Sequence, residues 1–356
     1  MIFRLLKALA VVLVLAGVAL YVNVRAELGQ FAQIGSPTDV SVQVVRDEAG
    51  GSLDGAEDAA VDWVGRRVYI PAFDRRAAAA GKPVRGHIFV VSLDDPEFRA
   101  REITPAEPEV FFPHGTDLFR EPGGAASLYV INHRGPSEAV EIFDLNDDGT
   151  LRHRETISDS GFISLNDLVV VAPRRFYVSN DHGHAPGSGF RRDLEDRFHT
   201  REANVVYFDG NVATPVAKWL NLADGVAMSH DGREIYVTEL WGRTLRVYER
   251  NEQTGALTPK KKIPLGFGGD NIAVDTDGSL WIGGHPQLYK SIKRFADPSY
   301  PAPSQVARVD LAGPNVATLF WDDGTRVSAA TGAIPLGDKM LLGSAFGPPT
   351  LVGIPK

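Results

Sequence analysis

The stretch GFISLNDLVVVAPRRFYVSNDHGH, residues 161–184, states a pattern that recurs along the whole chain. Asn166 and Asp167 come first, followed by the apolar run 168–171 and a turn at Ala172, Pro173 and Arg174. A second strand at 176–178 then ends in Ser179, Asn180, Asp181 and His182. Two short strands with polar residues at both open ends predict a hairpin whose body is buried and whose ends are free for chemistry.

The same unit occurs five more times. Glu57 and Asp58 precede AAVDWVGRRVYIPAF, His114 precedes GTDLFREPGGAASLYVINH, and Asp224 precedes GVAMSHDGREIYVTEL. Asp270 and Asn271 precede IAVDTDGSLWIGGH, and Ser328 precedes AATGAIPLGDKMLLGSAF. The starts fall at 57, 114, 166, 224, 270 and 328. Several short strands and Asp-Gly turns per repeat describe propeller blades, not a helical solenoid. The expected fold is therefore all-β, a six-bladed β-propeller. Its blades need one another to bury their faces, so residues 27–356 are expected to form one domain behind an amino-terminal segment, 1–26.

Composition agrees: 36 glycines and 23 prolines suit a chain of tight turns, and 44% hydrophobic residues suffice for a large core. A net charge of −8 argues against nucleic acid, which needs a basic face. Small molecules and cations are the better-matched partners. With no cysteine, any metal would be held by oxygen or imidazole, and the redox compartment stays open.

Residues 8–22 are an unbroken apolar run behind Arg4 and Lys7. The run has the length of a signal-peptide core and becomes membrane-spanning once Leu5, Leu6 and Val24 are added. The basic amino end points the remainder away from the cytoplasm, in the periplasm. An uncleaved membrane anchor is the expectation, with a cleaved signal and secretion as the alternative. Beyond a linker at 27–37, Val40, Val42 and Val44 alternate as an edge strand should, and pairing with 350–354 would close the ring.

In a propeller the innermost strand of each blade lines a central tunnel, so equivalent repeat positions meet around one axis. Here those positions hold Glu57, Asp58, His114, Asn166, Asp167, Asp224, Asp270 and Asn271. Carboxylates and amides converging without cysteine make the ligand set of a hard cation, and many protein oxygens favour calcium over magnesium. A metal site in the central tunnel is therefore expected. The plainer reading is that Asp and Asn shape turns at strand starts.

The motifs Phe112-Pro113-His114-Gly115, Val130-Ile131-Asn132-His133, Leu165-Asn166-Asp167, YVSNDH at 177–182, Gly269-Asp270-Asn271-Ile272 and LWIGGHP at 280–286 carry a resemblance. In this order they resemble the paraoxonases, the arylesterase/lactonase enzymes, in a bacterial-type member. That resemblance implies two calcium ions in the tunnel. Carried over by motif, a catalytic ion would be held by Glu57, Asn166, Asp224, Asp270 and Asn271. A structural ion would be held by Asp58, Asp167 and the main-chain carbonyl of Thr116. The family usually has asparagine where Asp224 stands, which changes the charge of the site. Its disulfide between the chain ends is not available here, which leaves ring closure to strand pairing.

The resemblance further implies a histidine dyad, His114 taking a proton from water and His133 relaying it. Imidazole suits that task because its ordinary pKa lies near neutrality. His182, Leu222, Leu240, Trp241, His285 and Phe346 are expected around the substrate pocket. There is no G-x-S-x-G elbow and no cysteine nucleophile. Phe190, Leu194 and Phe198, at four-residue spacing, describe a short helix suited to a lid or to a solvated surface. The expected activity is calcium-dependent hydrolysis of lactones with aryl-esterase and weak phosphotriesterase side activities. The alternatives are a gluconolactonase-type sugar lactonase, whose type lacks the His114 and His133 motifs, and a non-catalytic binding propeller with structural calcium. Acyl preference and oligomeric state are not legible.

Overall fold

Turn chemistry cuts the chain after residue 40 into short strands, and these assemble as six four-stranded antiparallel sheets. The computed structural model describes residues 2–134, 138–313 and 315–355. Each sheet is one blade of a six-bladed propeller, and within five of them the strands follow chain order. The sixth closes the ring: Val42–Val44 pairs antiparallel with Thr350–Gly353, Val42 opposite Val352. The strand from the other end of the chain forms the outer edge of this blade, so closure needs no disulfide.

Between blades, apolar side chains from facing sheets interlock. Phe176 is fully buried, with the rings of Tyr129 and Phe208 at 6.1 and 5.2 Å. Truncating such a side chain to alanine costs about 3–5 kcal/mol.

The inner strands Pro113–Arg120, Leu165–Ala172, Ala223–Met228, Gly268–Val274 and Ala330–Leu336 share a feature that the repeats only hinted at. Each has a register shift near its start: Pro113 pairs with Asn132 and Thr116 with Val130, so three steps on one strand match two on its partner. The same shift separates Leu165 from Leu168, Ala223 from Val226, Gly269 from Ile272 and Ala330 from Ala333. A one-residue bulge breaks strict alternation and re-aims side chains. This is how neighbours such as Asn166 and Asp167 come to serve one tunnel. In the sixth blade the bulge holds Thr331 and Gly332, so the polar start at Ser328 is not the equivalent position.

Adjacent inner strands approach backbone to backbone. A Cβ at Gly225 would lie 2.5 Å from the carbonyl oxygen of Asp270, and one at Gly115 would lie 2.4 Å from that of Asn166. Only glycine fits there. Hydroxyls brace the same ring: Ser179 donates to the Asp224 carbonyl at 2.6 Å and Thr238 to the Asp270 carbonyl at 2.6 Å.

Four helices complete the described chain: α1 (Ile2–Glu27), α2 (Arg75–Ala79), α3 (Phe190–Phe198) and α4 (Leu288–Ala296). The apolar stretch of α1 has a mean hydropathy of 2.5 and none of it is buried, so it is long and apolar enough to cross a membrane. The end of α1 rests on the propeller. Glu27 binds His199 Nδ1 at 2.6 Å and accepts from Asn221 at 2.9 Å, and the Leu28 carbonyl accepts from the Tyr289 amide.

Candidate active site

His114 sits in the bulge of the second blade's inner strand, and His133 ends the strand beside it. Their rings meet edge to face with centroids 4.8 Å apart, and His133 Nε2 lies 3.0 Å from His114 Nδ1. His114 Nε2 faces Glu57 Oε2 at 3.5 Å. Burial, then the nearby Arg75 cation and His133, hold His114 well below the usual imidazole range, so it is a neutral base at neutral pH.

Two partners of this pair escaped the sequence reading. Arg75, the first residue of α2, places Nη2 at 2.8 Å from His114 Nδ1 while Nη1 donates to the carbonyls of Gly55 and Ala345. Glu138 lies directly opposite His133 across the next hairpin and brings Oε2 to 2.6 Å from His133 Nδ1. The hairpin register is the signal that would have found Glu138. Arg75 comes from a non-repeating connection and has no such signal.

The expectation of a metal site in the tunnel, and with it of two calcium ions and calcium-dependent hydrolysis, is corrected by the structure. Among the described residues, no group of three or more His, Cys, Asp or Glu side chains could hold a metal ion. Some of the expected ligand side chains are bonded to other partners. Asp58 accepts from the Thr116 amide at 2.8 Å, and Asp167 accepts from the amides of Leu168 and Val226, each at 2.7 Å. Asn271 donates to Glu57 Oε1 at 2.8 Å, and His285 Nε2 lies 3.0 Å from Asp270 Oδ2.

Glu57 Oε2, Asn166 Oδ1, Asp224 Oδ1, Asp270 Oδ1 and Asn271 Oδ1 are buried without a conventional donor. Burial pushes the Glu57 carboxyl up, and burial with neighbouring acids pushes Asp58, Asp167, Asp224 and Asp270 well above the carboxylate range. A carboxyl that keeps its proton is a donor, and Asp270 lies within hydrogen-bonding reach of both Glu57 and Asp224. The tunnel centre is thus a buried network of acids and amides. A cavity of about 650 Å³ adjoins it, lined by Asp58, Thr116, Asp167 and Asn271 and reaching His230 and Trp281.

The expected pocket residues lie in three surroundings. Leu222, Leu240 and Trp241 cluster with Leu288 of α4 and Leu28 behind α1. His182 meets Trp241 edge to face at 5.3 Å, and His199 stacks on the same ring at 4.0 Å. Phe346 instead packs on Phe295 at 5.3 Å under the guanidinium of Arg76. His285 lies buried between Asp270 and the Ser291 hydroxyl, and burial lowers it to about 4, so it stays neutral.

The helix expected at 190–198 forms, with an apolar residue facing outward and an acid inward. Phe190 is 73% exposed, whereas Glu195 is buried, accepting from the Gly183 amide and pairing with His184. His182 lies 2.8 Å from Asp181 and 2.9 Å from Asp196 of α3, which ties the helix to the blade.

Comparison with known proteins places this geometry in a lineage. The arylesterase family model matches residues 76–349, well over half of the chain. Human serum paraoxonase/arylesterase 1 is 32% identical over 270 residues, covering 73% of this chain and 75% of its own. The mouse protein of the same name is 32% identical over 241 residues, 66% of each chain. Among solved structures, a putative gluconolactonase superposes with a TM-score of 0.54 over 89% of this chain and 93% of its own, at 14% identity, a likeness of fold alone. The chain belongs to the arylesterase family, within the paraoxonase/arylesterase/lactonase superfamily.

Proposed function

We propose that this protein is a hydrolase that opens lactones, with hydroxylated sugar-acid lactones as its preferred class, by attack of a water activated at His114. The observation that carries the reading is the contact of His133 Nε2 with His114 Nδ1 at 3.0 Å in a bulge of the tunnel wall. Neutral His114 accepts the water proton on Nε2 and passes its Nδ1 proton to His133 Nε2. The hydroxide adds to the carbonyl carbon. The tetrahedral intermediate then collapses with cleavage of the ring carbon–oxygen bond, and the returning proton neutralises the leaving alkoxide. No step runs through a metal ion.

Family membership supports ester chemistry, since the curated relatives are named arylesterases. The buried acids and amides around Asp224 and Asp270 support a hydroxyl-rich ring over an aryl ester, because they offer hydrogen bonds that an aromatic leaving group does not use. The paired histidines set this chain apart from the sugar lactonases as the sequence reading drew them. The absence of cysteine and the charged α3 support a bacterial-type branch.

Localisation belongs to the same reading. The exposed apolar α1 with Arg4 and Lys7 at its start supports a membrane anchor holding the propeller, residues 27–356, on the extracytoplasmic side.

A pH-stat assay of the full chain in detergent tests the proposal with a sugar-acid δ-lactone, an alkyl δ-lactone and an aryl acetate. The sugar-acid lactone is expected to give the highest kcat/KM. Lactone opening no faster than the uncatalysed rate would overturn it.

A further inference from the structure

His114 Nδ1 has two neighbours, Arg75 Nη2 at 2.8 Å and His133 Nε2 at 3.0 Å. A relay needs a hydrogen on His114 Nδ1 directed at His133 Nε2, and the Arg75 guanidinium stands beside that contact as a fixed cation. His133 Nδ1 lies 2.6 Å from Glu138 Oε2, and a carboxylate only accepts. Nδ1 of His133 therefore carries hydrogen, which leaves Nε2 to accept from His114. This is the tautomer a relay needs before the water gives up its proton.

We infer that Glu138 is a positioning residue for the hydrolysis, the third member of a relay His114–His133–Glu138 whose carboxylate takes up the charge arriving on His133. Arg75 sets the direction. A fixed cation beside His114 opposes charge there, and a fixed anion beside His133 favours it, so the proton moves outward from the tunnel. The site is built for this role. Glu138 is 5% exposed and faces His133 in strand register, while Nη1 of Arg75 is anchored to two carbonyls. The protons balance. One passes from water to His114 Nε2 as one passes from His114 Nδ1 to His133 Nε2, and both return when the ring oxygen leaves. Glu138 accepts a hydrogen bond throughout and is never protonated.

The catalytic consequence rests on the lactone reading, so the test has two readouts on the full chain. In Glu138→Gln the amide oxygen still accepts a hydrogen bond and only the charge is lost. The kcat for lactone opening is expected to fall on the order of 10²-fold with KM unchanged, and Glu138→Asp should restore part of it. Independently, ¹⁵N spectra of histidine-labelled protein should show hydrogen on Nδ1 of His133 in the parent and a mixture of tautomers in Glu138→Gln. An unchanged kcat together with an unchanged His133 tautomer would overturn the inference. A parent without lactone turnover overturns the functional reading instead, and the tautomer comparison still decides the role of Glu138, because it needs no substrate.

Discussion

The ring of inner strands and the helical cap above it are built on different principles. In the ring, five bulges recur at one position, glycines let backbones touch, and hydroxyls from second strands brace the carbonyls of the next blade. In the cap, helices are tied down by ion pairs such as His182 with Asp181 and Asp196, and by aromatic contacts around Trp241. The ring holds its atoms through backbone contacts and bracing hydroxyls, and the cap holds its parts through groups that titrate. In the proposed function, chemistry that needs two imidazoles at hydrogen-bonding distance falls to the first, and selection of substrate to the second.

The largest expected effect lies in the ring. His114→Gln should lower lactone kcat by about 10² to 10⁴, the scale of general-base catalysis, with the melting temperature within a degree or so of the parent. Steady-state rates and a melting curve check both halves. Gly225→Ala sharpens the contrast by testing the ring's geometry without touching its chemistry. The new Cβ would meet the Asp270 carbonyl, and about 1–3 kcal/mol of stability should be lost in denaturant unfolding. A variant as stable as the parent would mean that the strands can part.

The cap should respond more mildly. Trp241→Ala removes the ring that both His182 and His199 contact, and a KM about tenfold higher at little-changed kcat is expected from lost uniform binding. A fall in kcat alone would assign Trp241 to the ring's work. The smallest effect is on pH. Burial opposes charge on His182, but Asp181 outweighs it and raises the imidazole above its ordinary value of 6.5. A raised folded-state pKa stabilises the tie fully below 6.5 and loses it as pH climbs through the higher folded value. Amide exchange in α3 should therefore be a few-fold faster at high pH than at pH 6 after correction for intrinsic rates. Equal protection at both would show that His182 does not hold the helix.

The same divide decided what could be read from the sequence. Ring positions repeat, so Asn166, Asp224 and Asp270 announced a tunnel, and alternating valines near residue 42 announced its closure. Cap positions do not repeat: α3 was visible as a helix, but that Glu195 faces inward and Phe190 outward depends on the loop at Gly183 and His184. The state of the tunnel acids was not legible either. Aspartate and asparagine in a ring read equally well as cation ligands and as a buried acid network, and only burial together with the amides of Thr116, Leu168 and Val226 distinguishes them. Glu138 needed the strand register opposite His133, which four intervening residues leave open in sequence.

A double-mutant cycle on His114 and His133 tests the central claim that the two act as one unit. With lactone kcat measured for His114→Gln, His133→Gln and the pair, the double variant should be no slower than the slower single variant, because either change already breaks the relay. Losses that multiply would mean that the two histidines act independently and that the 3.0 Å contact between them is not the catalytic path.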